Sequence, residues 1–205
     1  MQISNILSMK NLSILCVAVL VLFSSCSKQL EAPAPKIVNQ YNEYIKYTIT
    51  KGQQACDKNP YTQVQYDHLK FTVKFDSSAI YKTIDPLNQK DVNKLFGFSD
   101  NNANHHQYSA RFGWRWSNNA LRIFAYVYNN GVLSITEMGT VMIGAEVHCS
   151  IQVTATGYQF TLDDKTCTMA RSASGTKATG YKLFPYYGGN ELAPHTISIW
   201  IKELL

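Results

Sequence analysis

From Tyr44 onward the chain alternates hydrophobic and polar residues with a period of two. In HLKFTVKFD, Leu69, Phe71, Val73 and Phe75 fall on one side and Lys70, Thr72, Lys74 and Asp76 on the other. TISIWIKEL sets Ile197, Ile199 and Ile201 against Ser198, Trp200 and Lys202, and VHCSIQV alternates in the same way. Successive side chains on a strand point to opposite faces, so this pattern predicts antiparallel strands with one face packed and one face wet. A single stretch departs from it. Asp85 in an N-cap position, Pro86 at the first helical position and an apolar set of Leu87, Val92, Leu95 and Phe96 predict one short helix, with Gly97 as its stop. No fixed-period repeat occurs, which argues against propellers and solenoids.

The longest alternating segment is YSARFGWRWSNNALRIFAYVY, residues 108–128. Asn118 and Asn119 tolerate the positive φ that a tight hairpin turn demands. Folding the segment there pairs Trp116 with Leu121, Trp114 with Ile123, Phe112 with Ala125 and Ala110 with Val127, an apolar layer in which large rings often meet small partners. The opposite face pairs Arg115 with Arg122, Gly113 with Phe124, Arg111 with Tyr126 and Ser109 with Tyr128. Glycine lets the Phe124 ring lie on bare backbone, and Arg111 is placed to stack on Tyr126. At the next turn, NNG at 129–131, a three-residue loop keeps the faces separate by pairing Val127 with Leu133, Ala125 with Ile135 and Tyr126 with Ser134. A two-residue turn mixes them, so parity favours the longer form.

A chain of 205 residues suits one domain with a core of its own. Only 16% of residues are charged while 12% are aromatic, thirteen of them tyrosine, a balance typical of β-rich extracytoplasmic domains. The net charge of +5 comes without any run of lysine and arginine, so no nucleic-acid partner is expected. The N-terminus stands apart. Residues 1–25 carry Lys10, the apolar run LSILCVAVLVLF from Leu12 to Phe23, then Ser24 and Ser25. That run is too short to span a bilayer and matches the core of a secretory signal. LFSSC resembles the lipobox of bacterial lipoproteins, in which the cysteine, here Cys26, takes a lipid thioether and becomes the acylated N-terminus. Phe23 departs from the commoner aliphatic residue at its position. Residues 26–43, with Pro33 and Pro35 alternating with alanine, read as an extended tether, which leaves 44–205 as the folded domain. The lipid bilayer is therefore the first expected partner, and the cell envelope, at the outer membrane, the expected location.

Cys56, Cys149 and Cys167 remain beyond the signal and the lipidated residue, and at most one bridge is possible among three. A meander from Val147 to Met169 puts the Cys149 and Cys167 strands two apart, about 10 Å, beyond disulfide reach. Three buried or partly buried thiols are expected instead. No spacing of cysteine and histidine suggests a metal, and no cofactor motif occurs.

Candidate chemistry gathers on the outward face of the hairpin: Arg111, Arg115, Arg122, Phe124, Tyr126 and Tyr128, with Trp200 and Lys202 outward on another strand. Opposed Arg115 and Arg122 cost stability unless a carboxylate or a bound anion lies between them. Aromatic rings beside guanidinium groups also suit sugars, the rings stacking on apolar sugar faces and the forks gripping carboxylates or sulfates. Arg111, Arg115, Arg122, Tyr126, Tyr128 and Trp200 are thus the candidate ligand-binding residues, for a glycan or another anion. The competing reading is that Glu137, a loop or a second layer covers this face and the group only packs. His105 and His106 on an extended chain point opposite ways and make a poor chelating pair. The only carboxylate near them is Asp100. Glu191 and His195, in the loop of LFPYYGGNELAPH, read as a corner connection between sheets. No catalytic residue is assigned.

KLFGFSDNNANHHQYSARFGWRW, LRIFAYVYNNG and GYKLFPYYGGNELAPHTISIWIKEL resemble a group of lipoproteins of Bacteroidota-type bacteria that share forms of HHQxSARFGW, AYxYxNG and YKLFPYFGGxExAPHxIxI. The resemblance spans most of residues 45–203. It implies an all-β fold, an antiparallel β-sandwich of the jelly-roll, concanavalin-like sort, and transfers no catalytic residue. Polysaccharide lyases with such a sandwich usually carry an Arg-x-Glu-x-Arg strand, whereas Arg111 to Arg115 has Gly113 where the acid stands. The expectation is a tethered, non-catalytic carbohydrate- or anion-binding module. A glycan-active lyase or hydrolase and a purely structural surface protein are the alternatives.

Overall fold

A computed structural model describes residues 43–173 and 175–204. The expected signal segment, Cys26 and the expected tether before Glu43 lie outside the described residues. Two six-stranded antiparallel sheets pack face to face. The first has the order β1 (Ile45–Ile49), β12 (Ile197–Leu204), β3 (His68–Phe75), β8 (Val147–Val153), β9 (Gly157–Leu162) and β10 (Lys165–Ala170). The second runs β2 (Gln63–Tyr66), β11 (Ala178–Leu183), β4 (Asn93–Ser99), β5 (Tyr108–Ser117), β6 (Ala120–Asn129) and β7 (Val132–Val141). The antiparallel strands are those the alternation predicts, and the whole is the jelly-roll sandwich that the resemblance implied.

The core forms where the two apolar faces meet. Leu69, Phe71, Val73 and Phe75 of β3 are buried against Phe112 and Trp114 of β5. Phe71 meets Phe112 edge-on at 5.6 Å, and Phe75 lies 5.5 Å from Trp114. The rings of RFGWRW therefore point inward: Phe112 and Trp114 are fully buried, and Trp116 packs on the core margin. Each such ring contributes about 2–3 kcal/mol by leaving water. The β5–β6 register matches the sequence reading pair for pair, from Trp116 opposite Leu121 to Ser109 opposite Tyr128, with Asn118 and Asn119 at φ of 52° and 54°. The thiols of Cys56, Cys149 and Cys167 are free, and β9 separates the strands of the last two.

Two local expectations are corrected. The helix over Asp85 to Gly97 shrinks to a 3-10 turn at Pro86–Lys90, where the Asp85 carboxylate accepts the Leu87 N–H at 2.9 Å. Val92 precedes β4, and Leu95, Phe96 and Gly97 lie within it. A bulge between Lys94 and Gly97 sets Leu95 and Phe96 opposite Phe112 alone, so these two adjacent residues both enter the core. Apolar spacing of three and four then mimics a helix on an extended chain. A second 3-10 turn covers Ser77–Ala79.

The second correction concerns NNG. The loop is a two-residue turn of Asn130 and Gly131, both at positive φ, so Tyr126 pairs with Ile135 and Val127 with Ser134. The faces do mix near the turn. A bulge between Ile123 and Phe124 on the β6 side, with Met138 as the extra residue of β7, restores parity beyond it, so Met138 is buried and Val141 packs on the core.

Candidate functional site

The outer face of the second sheet carries a trough of about 620 Å³, floored by β4, β5, β6 and β11 and walled by segments near Tyr61 and Tyr186. The ladder assembles its floor. Leu183, Gly97, Arg111 and Tyr126 form one row across four strands. Gly97 has no side chain because a Cβ there would collide with the Arg111 backbone and Cβ, so β4 and β5 approach closely at this row. Arg111 is only 6% exposed, and its guanidinium lies 4.9 Å from the centre of the Tyr126 ring. Lys94 of β4 lies 5.6 Å from the same ring and donates to the Gly188 carbonyl at 2.7 Å.

Arg111 stands in this trough without an ion pair among the described residues, whereas Lys182 at its edge pairs with Glu203 at 2.5 Å. Among the described residues Arg111 Nε finds no hydrogen-bond partner, the Tyr126 hydroxyl being the polar neighbour of the guanidinium. Among the described residues every ion pair formed by an arginine lies elsewhere. Burial depresses the Arg111 pKa from its ordinary value. Burial first and the Arg111 charge second bring Lys94 down to about 8, with Asp91 opposing. His105, desolvated and beside both Arg111 and His106, falls to about 4 and is neutral at neutral pH. Burial likewise raises Tyr126 to about 12, so its hydroxyl stays protonated.

The histidines sit at one end of the trough. They lie in a turn, not on an extended chain, and their rings are 4.3 Å apart, which corrects the expectation that they point opposite ways. His105 Nδ1 is 2.9 Å from the Tyr181 hydroxyl, and His106 packs 5.3 Å from Tyr128. Asp100 does not serve them. Its carboxylate is buried, accepting from Arg171 Nε at 2.7 Å and the Tyr158 hydroxyl at 2.6 Å. No cluster of metal-ligating side chains occurs among the described residues.

Of the six candidate residues, Arg111, Tyr126 and Tyr128 line the trough. Arg115 and Arg122 are opposed as expected, with Glu137 between them: Arg122 Nη1 is 2.6 Å and Arg115 Nη2 4.0 Å from its oxygens. Arg115 also donates to the Lys90 carbonyl at 2.6 Å and lies 4.8 Å from the Phe124 ring centre. These two arginines are satisfied by the protein itself and stand outside the trough. Trp200 is on β12 of the other sheet, so it faces away from the remaining five. Glu191 is structural, accepting from the Ile84 and Asp85 N–H groups and Asn88 Nδ2, and His195 Nε2 is 2.8 Å from the Ser78 carbonyl. Lys94 and Tyr181 were not anticipated. A helix assignment hid the first, and the second shares no alternating segment with the hairpin.

Gly113 also resolves the missing acid of the lyase-type strand. A Cβ at Gly113 would meet Val92 Cγ1 at 2.5 Å, so the space above it is already filled. Among solved structures, the chain is similar to the alginate lyase AlyC3, with a TM-score of 0.52, 12% identity, and coverage of 82% of this chain and 80% of that one. It is also similar to LamAcat from Zobellia galactanivorans at 0.47, with 10% identity over 78% and 75% of the two chains. The carbohydrate-binding module CBM66 from Bacillus subtilis scores 0.38, with 11% identity over 78% and 95%. At such identities the first of these shows a shared jelly-roll fold, and a fold of this kind hosts many functions. No protein-family model and no curated protein matches the chain.

Proposed function

We propose that the protein is an envelope lipoprotein whose trough binds an acidic glycan without cleaving it. The reading takes up the resemblance to the Bacteroidota-type lipoprotein group, with acylated Cys26 as the membrane anchor at the outer membrane. The observation that carries the reading is Arg111, a desolvated guanidinium with no carboxylate paired to it among the described residues, next to Lys94. Holding such a charge dry costs free energy that an anion from outside recovers. A uronate carboxylate suits the guanidinium fork, and Tyr126, Tyr128 and Tyr181 supply rings and hydroxyls for the sugar itself. That the fold neighbours include an alginate lyase agrees with a glycan ligand.

A second reading rests on one contact. His105, neutral and 2.9 Å from the Tyr181 hydroxyl beside Arg111, is a base and acid pair of the kind a glycan-cleaving enzyme needs. Titration of the protein with oligouronates, sulfated oligosaccharides and neutral glucans separates the readings. Saturable binding of oligouronate with no new reducing or unsaturated ends supports the binding module. Product formation supports the enzyme, and equal binding of neutral glucans overturns the role of Arg111. The anchor is tested separately: Cys26→Ala abolishes metabolic lipid labelling, and retained labelling removes the lipoprotein assignment.

A further inference from the structure

The outer face of the first sheet has a different chemistry. Across β1, β12 and β3 the ladder sets Lys46, Trp200 and Lys74 in one row, with Lys202 beside Thr72 in a second and Lys70 in a third. Lys46 lies 5.3 Å from the Trp200 ring centre. Tyr44 lies over Thr72, whose hydroxyl donates to the Tyr44 oxygen at 2.9 Å, and the ammonium groups of Lys74 and Lys202 approach its ring to 4.5 Å and 5.0 Å. Thr72 is buried at 1% on a face the alternation makes polar, because Tyr44 covers it. Against these four lysines stand Glu146, paired to Lys74 at 3.1 Å, and Asp76, whose carboxylate accepts the Ser78 N–H, while Lys46, Lys70 and Lys202 form no ion pair among the described residues.

A basic sheet face with amphipathic rings among its lysines matches an anionic surface. We propose that this face docks on a membrane rich in anionic phospholipid, with Lys46, Lys70 and Lys202 over the headgroup phosphates and Trp200 at the interface. The complementarity is of charge, each lysine near such a surface adding attraction, and indole rings favour the boundary between headgroup and acyl chain. The described residues begin at Glu43, and Tyr44 is already part of this face, so the N-terminal end of the described chain lies on it. A chain extended from Cys26 to Glu43 spans at most about 60 Å, so a face docked on the membrane needs only a slack tether. Because the two sheets stack back to back, docking here turns the trough of the second sheet away from the bilayer. The proposal does not depend on what the trough binds.

The test uses the compact unit from Asn39 to Leu205, which holds the whole core and no lipid attachment residue. It is sedimented with vesicles of phosphatidylcholine alone and of equal parts phosphatidylcholine and phosphatidylglycerol. Binding is expected only to the anionic vesicles, with a blue shift of tryptophan emission that Trp200→Ala removes. Each of Lys46→Glu, Lys70→Glu and Lys202→Glu is expected to weaken binding by about fivefold or more, and lysine-to-arginine changes to preserve it. These side chains lie outside the core, so far-UV circular dichroism and the melting temperature stay those of the parent. Equal binding to both vesicles, binding untouched by the glutamate substitutions, or no vesicle binding at all overturns the proposal, the last pointing to a protein partner instead. Failure of the trough to bind oligouronate leaves these outcomes unchanged.

Discussion

Two arginines of this protein are nearly equally buried and otherwise opposite. Arg171, 5% exposed, donates from Nε to Asp100 at 2.7 Å, from Nη1 to the Thr154 carbonyl at 2.8 Å and from Nη2 to the Lys177 carbonyl at 3.0 Å. Asp100 in turn accepts from Tyr158 and from the N–H groups of Asn101 and Thr179, and these donors with Arg171 hold its carboxyl below the usual range despite burial. Arg111, 6% exposed, has an aromatic ring for company and an Nε without a partner. One charge is sealed by the fold. The other is held ready, and a folded chain retains such a cost where a ligand offsets it.

Substitutions sharpen that contrast, and the largest effect belongs to the sealed pair. Arg171→Leu leaves the Asp100 carboxylate buried and unpaired, so unfolding by denaturant is expected to show a loss of about 3–5 kcal/mol. A loss under about 1 kcal/mol would place Arg171 among ordinary surface charges. Arg111→Leu is expected to leave the stability of the unliganded protein unchanged or higher by about 1 kcal/mol, since no buried carboxylate is orphaned and the lost contact with Tyr126 is offset by the desolvation no longer incurred. The same substitution weakens oligouronate binding by about tenfold to a hundredfold, the worth of a charge-assisted hydrogen bond, as read by isothermal titration.

Lys94 gives a pH signature. Its charge is lost as pH rises through about 8, and a bound anion raises that value, so binding takes up a proton. Affinity is therefore expected to be full near pH 7 and to decline above 8, and Lys94→Arg to hold it level to higher pH. The unliganded stability runs the other way. Between about 8 and the unperturbed value of 10.5 the unfolded chain binds more protons at this residue, so its contribution rises with pH. His105 adds an acid limb: depressed from 6.5 to about 4, it contributes stability that is full above 6.5 and declines as pH falls toward 4. The smallest effect is at Glu137, which bridges Arg115 and Arg122 while remaining 38% exposed. Glu137→Gln is expected to cost under about 1 kcal/mol and to leave oligouronate affinity within about twofold.

How much of this was legible in the sequence depends on how local each signal is. The β5–β6 hairpin could be registered residue by residue because its alternation is unbroken and Asn118 and Asn119 fix the turn. The same logic failed where a bulge intervened. At Leu95 and Phe96 an extra residue turned two neighbours inward and imitated a helix, and at Met138 another restored a parity that had been assigned to the turn. Bulges leave no consistent mark in an alternation pattern, because they are fixed by the partner strand. Half of the candidate set, Arg111, Tyr126 and Tyr128, reached the trough because those residues share a hairpin face. Trp200 did not, since strand order between sheets is set by long connections no local pattern encodes. Lys94 and Tyr181 entered the trough from β4 and β11 for the same non-local reason.

The most direct test compares thermal unfolding of the parent protein and Arg111→Leu, each with and without saturating oligouronate. A ligand that binds only the folded state raises the melting temperature, so the parent is expected to gain several degrees and the variant almost nothing, although both melt at similar temperatures alone. A variant that melts far below the parent without ligand, or gains as much from it, would contradict the claim that Arg111 is kept unpaired for an external anion.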